Sequence, residues 1–387
     1  MRFLILNTDY PEFLSQFYSS HPGLENQSYE EQMRVRNESL FGVADFYSSN
    51  LRKLGHEAWD IHANNEFMQK MWARENVVHF DEPPFLKQYA LRYVNGIAAK
   101  ISLRQINSIL WPLVRSLDSW FYNILEAQVK YYKPDIVINQ AMSEIGSNFL
   151  KEIKPYTRIV VGQIASPLPQ SKDFSCYRVI ISSLPNIVAY FRRIGVPSEL
   201  NRFAFEPGIL DALGKRECKT LLSFVGSLSC NHESRINLLV HICKHFDMEI
   251  WGQGFDGLAE QSLIRDCYQG KAWGIEMYRV LHNSKITLNH HIDIAESYAN
   301  NMRLYEATGV GDLLITDWKE NLHEMFEPGR EVVAYRSAEE CVELIKYYLE
   351  HDNELETIAS AGQERTLREH TYYQRMGELV DIVNKYI

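Results

Sequence analysis

Arg303 and Glu306 stand three residues apart in the stretch Asn300-Asn301-Met302-Arg303-Leu304-Tyr305-Glu306-Ala307-Thr308-Gly309-Val310-Gly311. On a helix that spacing sends both side chains to one side. Asn300 or Asn301 supplies the cap, accepting from an otherwise unpaired N–H one turn later. Gly309 suits the left-handed residue just past a helix end. Leu313, Leu314 and Ile315 follow as a continuous apolar run, the pattern of a parallel strand covered on both faces. The free N–H groups around Asn301 and Met302, with the partial positive charge of a helix start, form a seat for an anion. An anion seat, a guanidinium and a carboxylate within two turns suit a ligand that carries phosphates and hydroxyls, such as a pyrophosphate joined to ribose. Taken alone, the stretch reads more simply as an ion pair on a packing helix. The elements around it shift that balance.

Those elements alternate. A strand over 3–6 opens the chain, a long loop over 7–28 follows, and a helical pattern over 29–53 stops at Leu54-Gly55-His56 before a strand over 57–61. No glycine-rich turn follows the first strand, which argues against a dinucleotide-dependent oxidoreductase. Residues 64–132 read as largely helical, with Trp72, Tyr89, Tyr93, Trp111, Trp120, Phe121 and Tyr122 as core, or as an aromatic wall for an acceptor. Strands over 136–139, 158–163 and 177–182 alternate with helices over 145–154 and 186–194. The turn-rich, charged segment from Phe205 to Lys219 then separates this half from a second alternating series, with strands over 221–225, 248–251, 285–289 and 313–316. This spacing predicts parallel, doubly wound sheets. The expected organisation is a domain over 1–206 with a helical insertion, a second over 207–370, and a C-terminal helix over 371–387.

At 387 residues the chain exceeds a single compact core. A net charge of −10 argues against nucleic acid as a partner, because binding a phosphate backbone needs concentrated positive charge. No stretch is long and apolar enough for a transmembrane segment, and the opening Met1-Arg-Phe-Leu-Ile-Leu6 is too brief for a signal peptide. The six cysteines include no C-x-x-C pair, as in a reduced, cytoplasmic protein.

In a doubly wound domain, ligands meet the carboxyl ends of the strands. In the second series those ends are Gly226, Gly252, Asn289 and Thr316. Gly226-Ser227 permits close backbone approach to a phosphate, Arg235 is placed to pair with the same anion, and the loop from Gly270 can bracket a flat base. Adjacent His290 and His291 point to opposite faces of an extended segment, and no third ligand stands at helical spacing, so no metal site is expected. There is no Asp-x-Asp pair, no P-loop and no G-x-S-x-G elbow.

The second half resembles the CgeB-like (spore-maturation-protein type) glycosyltransferases of the GT-B superfamily. The matching words are Phe224-Val-Gly-Ser227, Trp251-Gly-Gln-Gly254, Tyr268-Gln-Gly270, Ser284-Lys-Ile-Thr-Leu-Asn289, Asn301-Met-Arg-Leu-Tyr-Glu-Ala307, Leu313-Leu-Ile-Thr-Asp317, Phe326-Glu-Pro-Gly-Arg-Glu331 and Glu369-His-Thr-Tyr372. The first half agrees loosely, through Phe41-Gly-Val-Ala-Asp-Phe-Tyr47 and Leu54-Gly-His-Glu57. The resemblance implies an α/β GT-B fold, two doubly wound Rossmann-like domains facing across a cleft. It also implies a nucleotide-sugar donor, UDP-sugar favoured, in the second domain and an unknown acceptor (glycan, protein or small molecule) in the first. The donor would be held by Gly226, Ser227, Arg235, Gly252, Gly270, Asn289, Asn301, Met302 and Arg303. Glu306 would accept from the ribose hydroxyls, with no metal and no cofactor. Many retaining GT-B enzymes carry a glutamate eight positions before the one matched by Glu306; here that position is Tyr298, which leaves retention or inversion open. For inversion a general base is needed, and His21, Asp9 and Glu144 are the candidates. A sugar-nucleotide epimerase and a non-catalytic nucleotide-sugar-binding module are the competing expectations.

Overall fold

The computed structural model describes residues 1–80, 119–169, 173–228 and 233–387. Two six-stranded, wholly parallel sheets organise them. The first contains β1 (Arg2–Asn7), β2 (Glu57–His62), β3 (Ile136–Asn139), β4 (Ile159–Gln163), β5 (Val179–Ser182) and β6 (Ser198–Leu200), in the order β2-β1-β3-β4-β5-β6. The second contains β7 (Thr220–Val225), β8 (Glu249–Trp251), β9 (Tyr268–Gly270), β10 (Ser284–Asn289), β11 (Leu313–Asp317) and β12 (Val333–Tyr335), in the order β12-β11-β10-β7-β8-β9. The order reverses between β1 and β3 in one sheet and between β7 and β10 in the other. Such switch points open crevices at the carboxyl ends of the strands. Central strands such as Phe3–Leu6 and Leu313–Ile315 are fully buried, as the apolar runs require of strands covered on both faces.

Three features differ from the sequence expectation, while the expected C-terminal helix is present over Tyr372–Asn384. The stretch 7–28 is not a loop: helix Pro11–Ser20 begins with proline at its first position, where the missing N–H is no loss. The pattern over 29–53 splits into helices Tyr29–Glu38 and Phe46–Lys53, broken where Leu40, Gly42 and Ala44 take positive φ. The short edge strands β6, β9 and β12 were hidden because three residues carry no readable periodicity. Helix Tyr372–Asn384 returns to the first sheet and packs on helix Phe46–Lys53, with Tyr372 against Phe46 and Tyr47. Of the aromatic stripe, Trp72, Phe121 and Tyr122 are core, Trp120 is half-buried, and Tyr89, Tyr93 and Trp111 lie outside the described residues.

Loops from the carboxyl ends of both sheets touch. After β10, Ile292, Ile294 and Ala295 pack into the apolar cluster that holds Leu184 and Ile187, and Asn186 Nδ2 donates to the Ile294 carbonyl at 2.9 Å. After β9, Trp273 meets Tyr10, Phe13 and Phe41 of the first half. The two sets of strand ends therefore face one another.

Candidate active site

The site is built on helix Met302–Gly309, which connects β10 to β11. Asn301 is its cap: Oδ1 accepts from the Leu304 N–H at 3.2 Å, while Nδ2 donates to Asn289 Oδ1 at 2.9 Å. Asn289 in turn donates to Thr316 Oγ1 at 2.9 Å, so the cap is stitched to the ends of β10 and β11. Asn300 does not cap; its amide donates across to the Ser183 carbonyl of the first half. Gly309 is not the left-handed stop either. It lies inside the helix, where a Cβ would come within 2.4 Å of the Phe205 ring, and Gly311 takes the positive φ of 84°.

Arg303 and Glu306 pair at 2.9 Å with side chains 12% and 6% exposed. Helix Ile275–His282 holds both from behind. Arg303 Nη2 reaches Met277 Sδ at 3.3 Å, and the Tyr278 hydroxyl lies 3.5 Å from Glu306 Oε1. Arg303 Nη1 makes the ion pair, and Nε is buried without a hydrogen-bond acceptor among the described residues. Burial pushes the Glu306 carboxyl up, and Arg303 offsets only part of that. The pair is thus under-bonded on both sides, but it is closed. A ribose reaching Glu306 must draw it away from Arg303. Met302, half-buried, sits beside Arg303 at the helix start.

On the side of β7 away from the switch point, the Gly226 N–H donates to the Trp251 carbonyl, ending β7 beside β8. Gly252, at φ 149°, lies so close that a Cβ would fall 1.8 Å from the Gly226 carbonyl oxygen. Gly252 N–H donates to the Gly270 carbonyl at 2.8 Å, and Gly270 itself has φ 120° with open space around it. Arg235 departs from its expected role. Its guanidinium donates to the carbonyls of Ser227 (2.9 Å) and His290 (2.7 and 3.3 Å) and stacks over Phe224. It clamps the ends of β7 and β10 together, leaving little to offer an anion directly; burial lowers its pKa to about 10.

Asp317, at the end of β11, was not singled out from the sequence. It accepts from the His291 N–H at 3.0 Å and pairs with His291 Nδ1 at 2.6 Å and Lys319 at 3.3 Å. Burial would raise its carboxyl, yet His291, His290 and Lys319 together hold it well below the usual carboxylate range. His290 and His291 diverge, the first toward Tyr335 and Ser234, the second into the interior. Among the described residues, no group of three His, Cys, Asp or Glu gathers as metal ligands. A crevice of about 590 Å³ opens on the His290 side, lined by Ser234, Asp317, Trp318, Tyr335 and Arg336, and excludes Arg303 and Glu306.

The three candidate bases separate. Asp9 is locked: its carboxylate pairs with Arg36 Nη2 at 2.5 Å and faces His62 at 3.4 Å, both acid and arginine 1% exposed. Arg36 and His62 hold it below the carboxylate range against the upward push of burial. A carboxylate so saturated cannot take a proton near neutral pH, so Asp9 is part of the frame. His21 caps the end of helix Pro11–Ser20, bonded through Nδ1 to the Phe17 carbonyl, and is exposed. Glu144, half-buried beyond β3, lies near enough to Tyr10 to raise its hydroxyl pKa alongside burial and Glu12. Of the three, Glu144 alone combines partial access with a place at a strand end of the first sheet.

The family described as Glycosyl transferase-like matches residues 235–381. No curated protein sequence matches the chain. Solved structures do. HepE of Anabaena, in complex with UDP and glucose, superposes with a TM-score of 0.58 at 12% identity, covering 100% of both chains. A glycosyltransferase from Rickettsia africae gives 0.58 at 11% identity, covering 100% of this chain and 98% of that one. AviGT4, a glycosyltransferase involved in avilamycin A biosynthesis, gives 0.53 at 12% identity, with coverage of 100% and 98%. The chain has the GT-B fold, two parallel six-stranded sheets with alternating helices. Its residues 235–381 form a glycosyl transferase-like domain.

Proposed function

We propose that this protein is a glycosyltransferase that binds a nucleotide-sugar, UDP-sugar favoured, against the start of helix Met302–Gly309. We place it among the CgeB-like enzymes on the sequence words quoted above. The observation that carries the reading is the Arg303–Glu306 pair, buried yet under-bonded beside a capped helix N-terminus at a strand-order switch point. In this reading the pair separates as the donor enters. Arg303 and the N–H groups near Asn301 and Met302 meet the diphosphate, and Glu306 accepts from the ribose hydroxyls. Gly226, Ser227, Gly252 and Gly270 shape the backbone wall, while Arg235 holds that wall in register. The UDP complex of the HepE relative supports the choice of base.

Transfer breaks the bond between the sugar's anomeric carbon and the diphosphate oxygen and forms one to an acceptor hydroxyl oxygen. The diphosphate gains negative charge as it leaves, and fixed positive charge already aimed at it lowers the barrier without a cation. The acceptor's proton passes to a base, for which Glu144 is our candidate. Incubation with a panel of nucleotide-sugars tests the whole. Slow release of free nucleoside diphosphate marks a transferase, an isomerised sugar an epimerase, and thermal stabilisation without turnover a binding module.

A further inference from the structure

One of the contacts between the two halves of the chain is made by Trp273, and it leads to the Arg303–Glu306 pair. Trp273 lies three residues after β9 and two before helix Ile275–His282. Its ring meets Phe41 edge-on at 5.3 Å, Tyr10 at 6.0 Å and Phe13 at 6.4 Å, and its Nε1 donates to Gln16 Oε1 at 3.0 Å. Phe13 and Phe41 stack on each other at 3.8 Å, with the Arg36 guanidinium 5.9 and 5.8 Å from their rings. Arg36 is itself fixed by Asp9. The box that receives Trp273 is therefore rigid, held from beneath by a buried ion pair.

The next two residues make the grip tight. Gly274 runs so close to Ser39 that a Cβ would fall 1.9 Å from its carbonyl oxygen, and the Ile275 N–H donates to that same oxygen at 2.9 Å. The first turn of helix Ile275–His282 is thus anchored to the other half of the molecule. That helix supplies Met277 to Arg303 and Tyr278 to Glu306. Packed interiors pass displacements on, because they leave no free volume to absorb them.

We propose that Trp273 is a positioning residue: seated in the Tyr10–Phe13–Phe41 box, it sets the helix whose Met277 and Tyr278 hold Arg303 and Glu306 in their donor-receiving geometry. The arrangement makes donor affinity depend on how the two halves are docked. Only the ligand-binding consequence rests on the donor reading; the mechanical coupling stands apart from it.

The test compares Trp273→Ala and Trp273→Phe with the unaltered full chain. Hydrogen–deuterium exchange reads the coupling without any ligand. Trp273→Ala should speed exchange in 275–282 and also in 302–309, which Trp273 does not touch, while Trp273→Phe restores protection. Calorimetry with UDP reads the consequence, with about a tenfold loss of affinity in Trp273→Ala and most of it recovered in Trp273→Phe, the scale expected for misplaced ligand-binding groups. Unchanged exchange in 302–309 overturns the coupling. Faster exchange with unaltered UDP affinity overturns the positioning role. If the unaltered protein binds no UDP, the donor reading fails, and the exchange result still decides the coupling.

Discussion

Two arginine–carboxylate pairs sit near the strand ends, one in each half, and they differ in how fully they are bonded. Asp9 and Arg36 are sealed from solvent, and His62 adds a second neighbour to the acid, so Asp9 ionises more readily than in water. Among the described residues Glu306 and Arg303 have each other, a long contact to Tyr278 and a sulfur; the acid is harder to ionise than in water, and Arg303 Nε lacks an acceptor. An acid held by two neighbours, as Asp9 is, fixes conformation and has little left for a ligand, although Arg36 Nη1, like Arg303 Nε, lacks an acceptor among the described residues. An unsaturated one carries a standing cost that a ligand can relieve. Under the proposed function, the first half's pair belongs to the frame and the second half's pair to binding.

Removing the arginine from the saturated pair should do the most damage. Arg36→Met strands the Asp9 charge in the interior and should cost about 3–5 kcal/mol of stability, the usual penalty for breaking a buried ion pair, read by chemical denaturation at pH 7. Asp9 adds a pH signature. Its folded pKa is depressed, so its contribution is full above the ordinary carboxylate range and disappears as pH falls through the folded value.

Asp60, on β2 of the same half, should behave in the opposite sense. Burial raises its pKa to about 7, Ser48 only partly offsetting this, and Oδ2 has no partner among the described residues. Between the ordinary value of 3.8 and about 7 the folded chain holds more protons than the unfolded one, so stability falls as pH rises through that window. Asp60→Asn should remove this slope and stabilise the protein at pH 8 by up to about 4 kcal/mol, roughly three pKa units' worth. Thermal melts of both forms at pH 5 and pH 8 check it; parallel curves would show that Asp60 is not the group responsible.

Glycines extend the comparison to the sheets. Gly252→Ala forces a Cβ into the Gly226 carbonyl at a φ that L-residues rarely adopt, and should cost about 3 kcal/mol or more. Gly162→Ala on β4 meets only side-chain atoms of Met142 and Tyr177 at 3.0–3.1 Å, which can yield, and should cost about 1 kcal/mol. Equal losses in the two melts would mean that the close approach between the ends of β7 and β8 has no special weight.

The smallest effect goes to the unsaturated pair. Glu306→Gln removes a charge that is already hard to hold and keeps an oxygen acceptor beside Arg303, so although the buried arginine loses its counter-charge, stability should fall by only about 1 kcal/mol, well short of Arg36→Met. UDP affinity should drop about tenfold, roughly 1.4 kcal/mol, as a charge-assisted acceptor for ribose is lost. Calorimetry separates the two readouts, and undiminished affinity would return Glu306 to the frame alongside Asp9.

Much of this architecture is written in local pattern. Runs such as Phe3–Leu6 and Leu313–Ile315 can only be strands covered on both sides, and Asn301 before an amphipathic turn announces a helix start. Glycines at Gly226, Gly252 and Gly270 mark the strand ends where backbone must come close. Helix Pro11–Ser20 and the three edge strands escaped, the first because aromatic and polar residues share its short face, the others for want of length. Trp273 gave no signal at all, since its partners lie more than 200 residues earlier in the chain.

The sequence by itself determined two series of buried parallel strands, the glycine-edged strand ends, and the spacing that puts Arg303 beside Glu306, all consequences of interactions within a few residues. Only the tertiary structure decided which buried acid is neutralised and which is not. That depends on what folds against each one, His62 and Arg36 around Asp9, Tyr278 and Met277 behind Glu306 and Arg303. It likewise turned Arg235 from an anion partner into a backbone clamp, because its nearest acceptors are carbonyls brought together from two strands far apart in the chain.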